Sequence, residues 1–324
     1  MKNIILGLVL VLILATFSLF VGVWDVSLTK LIAGDKDAWD LFWFTRLPRT
    51  LALILAGASM SICGTIMQLL SRNRFVEPST AGTVTSASLG YLAVLLLAPA
   101  LPEYVKMLVT ALFALLGTAL FMQILKTIPL RSALVVPLVG IMLGGGDAMG
   151  GIIGSITTFF AYRYDMIQSV MLWAAGDFST IMQGRYELLW LALPLTLLSY
   201  LVADRFTVAG LGAEFSTGLG LNYRSTMLCG MVIVACVTAL VVVTGGQIPF
   251  LGLVVPNIVA LIMGDNMRRN LPFVALFGAA LVLLCDIAGR LIRYPFEIPI
   301  GTMMGVLGSA IFLILLLRGK TRLA

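Results

Sequence analysis

The sequence predicts an all-α, polytopic membrane protein of about ten transmembrane helices, packed as one domain over residues 1–324. Three observations carry that prediction. Apolar residues make up 60% of the chain and charged residues only 11%, against roughly 25% charged in soluble domains. The apolar residues are gathered into runs, several of them about 20 residues long, enough at ~1.5 Å per residue to cross a ~30 Å hydrocarbon core. Tryptophans and charges collect between the runs, as they do at membrane interfaces.

The first run, 4–23, sits behind Lys2 and lacks a small-x-small cleavage site before Trp24-Asp25, so it reads as a retained span and not as a signal peptide. Residues 24–45 are polar and carry Trp24, Trp39 and Trp43, the pattern of an interfacial segment. The uncharged run 50–70 opens behind Arg46-Leu47-Pro48-Arg49 and closes on Ser71-Arg72-Asn73-Arg74 and then Glu77-Pro78. Further runs lie at about 81–98, 105–125, 133–158, 188–203, 226–244, 250–264, 272–291 and 299–317. Within them, residues 140–154 hold seven glycines, several spaced for close helix–helix packing. The stretch 245–264 is short and interrupted by Pro249 and Pro256. A broken helix at membrane depth is tolerated where protein or a cavity satisfies the freed backbone, which favours a transporter over an anchor.

With a cytoplasmic N-terminus, the inner segments hold 12 basic residues against four acidic, and the outer ones nine against ten. That asymmetry has the sign the positive-inside rule requires, so both termini are expected in the cytoplasm and the chain in the cytoplasmic membrane.

Histidine is absent, and Cys63, Cys229, Cys236 and Cys285 all fall inside apolar runs with no C-x-x-C spacing. They read as small buried hydrophobes, and no metal site is expected. Without a nucleophile–histidine pair or paired carboxylates, no enzymatic activity is expected either. Gly319-Lys320-Thr321 imitates the end of a phosphate-binding loop, but Ile314 stands where glycine is required. No cofactor is therefore expected on this chain, and no nucleic-acid partner. Asp147 is the one acidic residue well inside a predicted span, a functional-site candidate by its cost alone. The competing reading is a carboxyl hydrogen-bonded among the surrounding glycines or facing a water-filled cavity. A lone acid without histidine makes a poor proton relay.

Arg46-Leu47-Pro48-Arg49, the helix ending in Met67-Gln68, Asn73 and Glu77-Pro78 together resemble the permease subunits of ABC importers for iron-siderophores, haem and vitamin B12. The resemblance resumes in Gly252-Leu253-Val254-Val255-Pro256-Asn257 and in Glu297-Ile298-Pro299-Ile300-Gly301, so it covers most of the chain. Asn73 through Thr80 is similar to the ferric-siderophore branch in particular. Asn257 and Ala260 depart from the histidine and arginine common at those places, which sets the chain in a subgroup. The resemblance implies the fold of a vitamin-B12-importer permease. It implies a second permease subunit, identical or a sibling, and a cytoplasmic ATPase dimer that binds ATP and Mg. It also implies a periplasmic or lipid-anchored siderophore-binding protein. It gives Arg46, Arg49 and Arg290 a role in docking that protein, where the residues alone would equally suit lipid-headgroup anchors.

The longest inner segment, 204–225, reads by itself as two short helices joined at Gly218-Leu219-Gly220. The resemblance makes about 208–225 the element that couples to the ATPase, through Gly212, Ala213, Glu214, Leu219, Gly220, Leu221 and Asn222. Thr217-Gly218 departs from the family's pattern there, and no gate residue can be carried over near Arg131-Ser132. Met142 and Asp147 are the substrate-pathway candidates. The implied cargo is a ferric siderophore, catecholate by subgroup, with haem or vitamin B12 as the alternative. An ion-gradient-driven carrier is the rival from another class.

Overall fold

A computed structural model of the protein describes residues 2–22, 27–127, 135–144, 151–264 and 266–320, and every regular element among them is helical. Asp147, like Arg131 and Ser132, lies outside the described residues. The chain begins with α1 (Lys2–Phe20), then α2 (Leu28–Ile32) and α3 (Lys36–Leu41). A π-helical turn over Phe42–Arg46 leads straight into α4 (Leu47–Ser71), so helix runs unbroken for 36 residues from Lys36 to Ser71. The described part of the expected interfacial segment is therefore largely helix. Its starts are capped: Ser27 accepts from the Lys30 N–H and Asp35 from the Asp37 N–H. Trp39, Phe42 and Trp43 pack ring against ring along it, Trp39 and Trp43 being two of the three tryptophans that suggested an interface.

A 3-10 turn over Pro78–Ala81 precedes α5 (Thr83–Leu97), followed by α6 (Glu103–Thr127), α7 (Val135–Gly144), α8 (Gly151–Arg163) and α9 (Ile167–Ala174). After a 3-10 turn at Glu187–Leu191 come α10 (Ala192–Leu201), α11 (Ala203–Ala209) and α12 (Ala213–Gly218). The chain closes with α13 (Tyr223–Gly245), α14 (Leu251–Met263), α15 (Met267–Ile292) and α16 (Ile300–Lys320).

All ten apolar runs carry helix, but the helices are unequal. Among the described residues, Lys36–Ser71, Glu103–Ile124, Tyr223–Gly245 and Met267–Ile292 are each long and apolar enough to cross a membrane. A fifth joins them if Glu187–Leu201 and Ala203–Ala209, bent by 62°, are taken together. α14, at 13 residues, is short because the backbone turns before it. α13 ends at Gly245, capped by Gly246 at φ +78°, and α14 starts behind Phe250 at φ +61°, so the expected break lies at 246–250. Pro256, in contrast, stays inside α14.

That proline is tolerated for a reason visible on the neighbouring helix. Pro256 has no N–H for the carbonyl of Gly252 four residues earlier. The Gln68 amide of α4 donates to that oxygen instead, at 3.2 Å, and also reaches the Leu253 carbonyl at 3.4 Å. The contact requires α4 and α14 to touch backbone to backbone, and a methyl at Gly64 would overlap the Gly252 carbonyl. α4 also runs against α15, where Gly57 faces the backbone of Gly278 and Ala279. Leu53, Ala56, Ile66, Met67, Val282 and Leu283 fill the buried core around these contacts. α4 and α15 are thus the central antiparallel pair, and their ends carry the polar sites.

Candidate docking and coupling sites

Arg46, Arg49 and Arg290 come together at one end of the α4–α15 pair, but they point inward. The two guanidinium groups of Arg49 and Arg290 share one carboxylate, Asp286, whose side chain is fully buried. Arg49 donates from Nε (3.2 Å) and Nη2 (2.6 Å) to Asp286 Oδ1, and from Nη1 (2.7 Å) to Glu297 Oε2. Arg290 takes Asp286 Oδ2, one helical turn back, and donates to the Ser18 and Val21 carbonyls at 2.9 and 2.8 Å and to Ser18 Oγ at 3.0 Å. Arg46 Nη1 donates to the same Val21 carbonyl at 2.8 Å. Its approach requires Gly22, where any Cβ would overlap the guanidinium.

These contacts tie the end of α1, the start of α4, the end of α15 and the 293–299 turn into one cluster. The π-helical turn at Phe42–Arg46 lies directly before it, and such turns are frequent at functional sites. A buried ion pair is a poor device for stability, since desolvation offsets the attraction unless every polar group is served. Here Arg290 Nε has no partner among the described residues.

At the other end of α4, Arg72 adopts φ +51° and the chain doubles back. The Asn73 N–H bonds the Gln68 carbonyl at 3.1 Å, and Asn73 Oδ1 accepts from the Phe75 N–H at 2.9 Å. Asn257 of α14 donates to the Arg74 carbonyl at 2.8 Å, and Pro78 packs on Gly252. Glu77 accepts from Ser79 Oγ at 2.6 Å. Burial pushes its carboxyl above the usual range, opposed by that hydrogen bond and one with the Phe250 backbone. Gln68 and Glu77 were visible as motif letters, yet nothing in the sequence said that they hold the start of α14.

The coupling candidates lie beside this loop. α11 and α12 are the two short helices expected in 204–225, but they are joined at Gly210–Gly212 and not at Gly218–Gly220. Ser216 sets this: its buried hydroxyl donates to the Val208 and Gly212 carbonyls at 2.9 and 2.6 Å, so α12 starts immediately after Gly212, which sits at φ +112°. Ala213, Glu214, Leu219 and Gly220 are exposed, Gly220 at φ +80°, while Gly212 is buried and Leu221 partly so. Asn222 caps α13 by accepting from the Ser225 N–H at 3.1 Å. Ala213, Gly220, Leu221 and Asn222 line one shallow open groove with Thr217 and Tyr223. Sequence reasoning missed the large apolar side chains this segment displays: Leu211, Phe215 and Leu219 are all more than half exposed. Their signal was available, since three large apolar residues in a polar connecting segment have no core of their own to enter. Met142 is exposed near the end of α7.

An all-helical bundle with several helices long and apolar enough to cross a membrane has the make-up of a polytopic membrane protein. The FecCD transport family model matches residues 9–318. The chain belongs to that family, the permease subunits of ABC importers, in which a separate ATPase hydrolyses ATP. It is 49% identical over 312 residues to the petrobactin import system permease protein YclN of Bacillus subtilis, covering 96% of this chain and 97% of that one. It is 42% identical to the petrobactin import system permease protein FatD of Bacillus anthracis (98% and 92% covered). With the ferric-anguibactin transport system permease protein FatD of Vibrio anguillarum it shares 38% (94% and 96% covered). Among solved structures, a metal-chelate type ABC transporter in an inward-facing conformation superposes with a TM-score of 0.85 at 23% identity, over 98% of this chain and 99% of that one. That likeness supports the fold.

Proposed function

We propose that this chain is the permease of an ATP-driven importer of a ferric siderophore of the catecholate class, with both termini in the cytoplasm. The observation that carries the cargo is the 49% identity, over nearly the whole chain, to a permease named for petrobactin. The orientation is supported by the basic excess of the segments at the Arg72 end, which favours the Arg49 cluster outside and α12 inside. On this reading the arginine cluster docks a siderophore-binding protein through acidic residues on its lobes. α12 and the 219–222 segment seat the chain on an ATPase dimer that binds ATP and Mg. A second permease subunit completes the translocation path, to which Met142 and Asp147 contribute. The chain itself holds no cofactor.

Reconstitution tests this. Proteoliposomes containing this chain, its permease partner and its ATPase should accumulate labelled ferric petrobactin only when ATP is inside and the binding protein is outside. Uptake of haem or vitamin B12 in place of the siderophore would overturn the cargo. Uptake that persists without ATP would overturn the machinery.

A further inference from the structure

The arginines of the cluster are not equivalent. Arg290 is closed off, with 2% of its side chain exposed and its two Nη groups committed to Asp286, Ser18 and the Val21 carbonyl. Arg49 is anchored on one edge and exchangeable on the other. Its Nε and Nη2 hold Asp286, which is fully buried and sits on a long helix. Its Nη1 holds Glu297, which is 24% exposed and sits in the non-helical turn between α15 and α16. Among the described residues Glu297 has no other hydrogen-bonded partner.

We infer that Glu297 occupies, in the undocked permease, the edge of Arg49 that a carboxylate of the binding protein takes on docking. A guanidinium fork can donate to two carboxylates side by side and prefers neither chemically, so the acidic partner and Glu297 compete for one edge. Asp286 and Arg290 keep the Arg49 side chain in place throughout the exchange. Glu297 also sets a negative charge where an acidic partner must approach, slowing encounter. It therefore lowers affinity and favours release. This rests on the docking reading given above.

The sign of one variant decides the matter. Binding of the cognate siderophore-binding protein, loaded with ferric petrobactin, would be measured on the full permease–ATPase complex in nanodiscs. Glu297→Gln keeps size and one acceptor but removes the charge, and affinity should rise about fivefold, in the range of a partly exposed ion pair. An unchanged or weaker affinity overturns the inference, because a merely supporting Glu297 would weaken docking when neutralised. Glu297→Asp, one methylene shorter, should move affinity the same way by less, and an unchanged or lower value again overturns it. Arg49→Ala separates the two levels. If it leaves docking unaltered, the docking reading itself fails. If it weakens docking while Glu297→Gln does not strengthen it, docking stands and the exchange falls.

Discussion

Glu77 shows at the scale of one residue how a motif letter acquires physics. It lies in the connecting segment between α4 and α5, where charge alone would place it in solvent, yet it folds under the start of α14 and its carboxyl is raised by burial. The unfolded chain ionises near 4.5 and the folded one at higher pH, so the folded state binds more protons between those values. The stability from this group is fully present below the lower value and is lost as pH rises through the higher one. Glu77→Gln keeps an acceptor for Ser79 and removes the charge. In detergent, its melting temperature should exceed that of the unmodified protein at pH 7–8, and the gap should close towards pH 4. A variant less stable at every pH would mean that the ionised carboxylate is what holds α14. The positions of Glu77, Arg49 and Arg290 were all legible as motif letters. Their partners were not, since Arg49 meets Asp286 and Glu297 across 237 and 248 residues of sequence. The inward turn of the arginines follows from those partners.

Elements were legible by type and misjudged by joint. Each apolar run carries helix, because backbone groups in a bilayer have no other way to be satisfied alone. What ends each helix depends on side chains from elsewhere. Pro256 suggested a break, but Gln68 serves the carbonyl it frees and the helix continues. Gly218–Gly220 looked like the joint of the coupling segment, yet Ser216 fixes it at Gly210–Gly212. Local sequence offered two glycine-containing turns there and no means to choose between them. The α4–α14 contact can be tested at its tightest point. A methyl at Gly64 meets the backbone of Gly252, which cannot swing aside as a side chain would. Gly64→Ala should cost about 1–3 kcal/mol, in the range of overpacked interiors, read as a lower midpoint in thermal unfolding. Gly218→Ala, with open space around it, is the control and should leave the midpoint unmoved.

At the scale of the whole molecule, two polar sites that never touch are joined by one helix pair. The 25 residues of α4 set the arginine cluster and the Arg72 loop about 37 Å apart at ~1.5 Å per residue. α15 returns over the same span, from Arg268, bonded to Asp204 of α11 at 2.5 Å, to Arg290 in the cluster. Composition alone announced a bundle in a membrane. It could not announce that one pair of helices links both ends, which depends on the glycine contacts along their crossing. In the proposed importer, force from the ATPase enters at α12, and the exposed Leu211, Phe215 and Leu219 are the surface that receives it. Burying one such side chain contributes about 1.5–3 kcal/mol, roughly ten- to a hundredfold in affinity. Changing Phe215 and Leu219 together to Asp should therefore weaken ATPase assembly by at least tenfold and abolish ATP-driven uptake. Both residues are solvent-facing, so the fold should persist, and the arginine cluster, at the far end of α4, should still dock the binding protein with unchanged affinity. Full uptake by the double variant would remove α12 from the coupling path. Loss of docking along with uptake would show that the two ends do not act as separable sites.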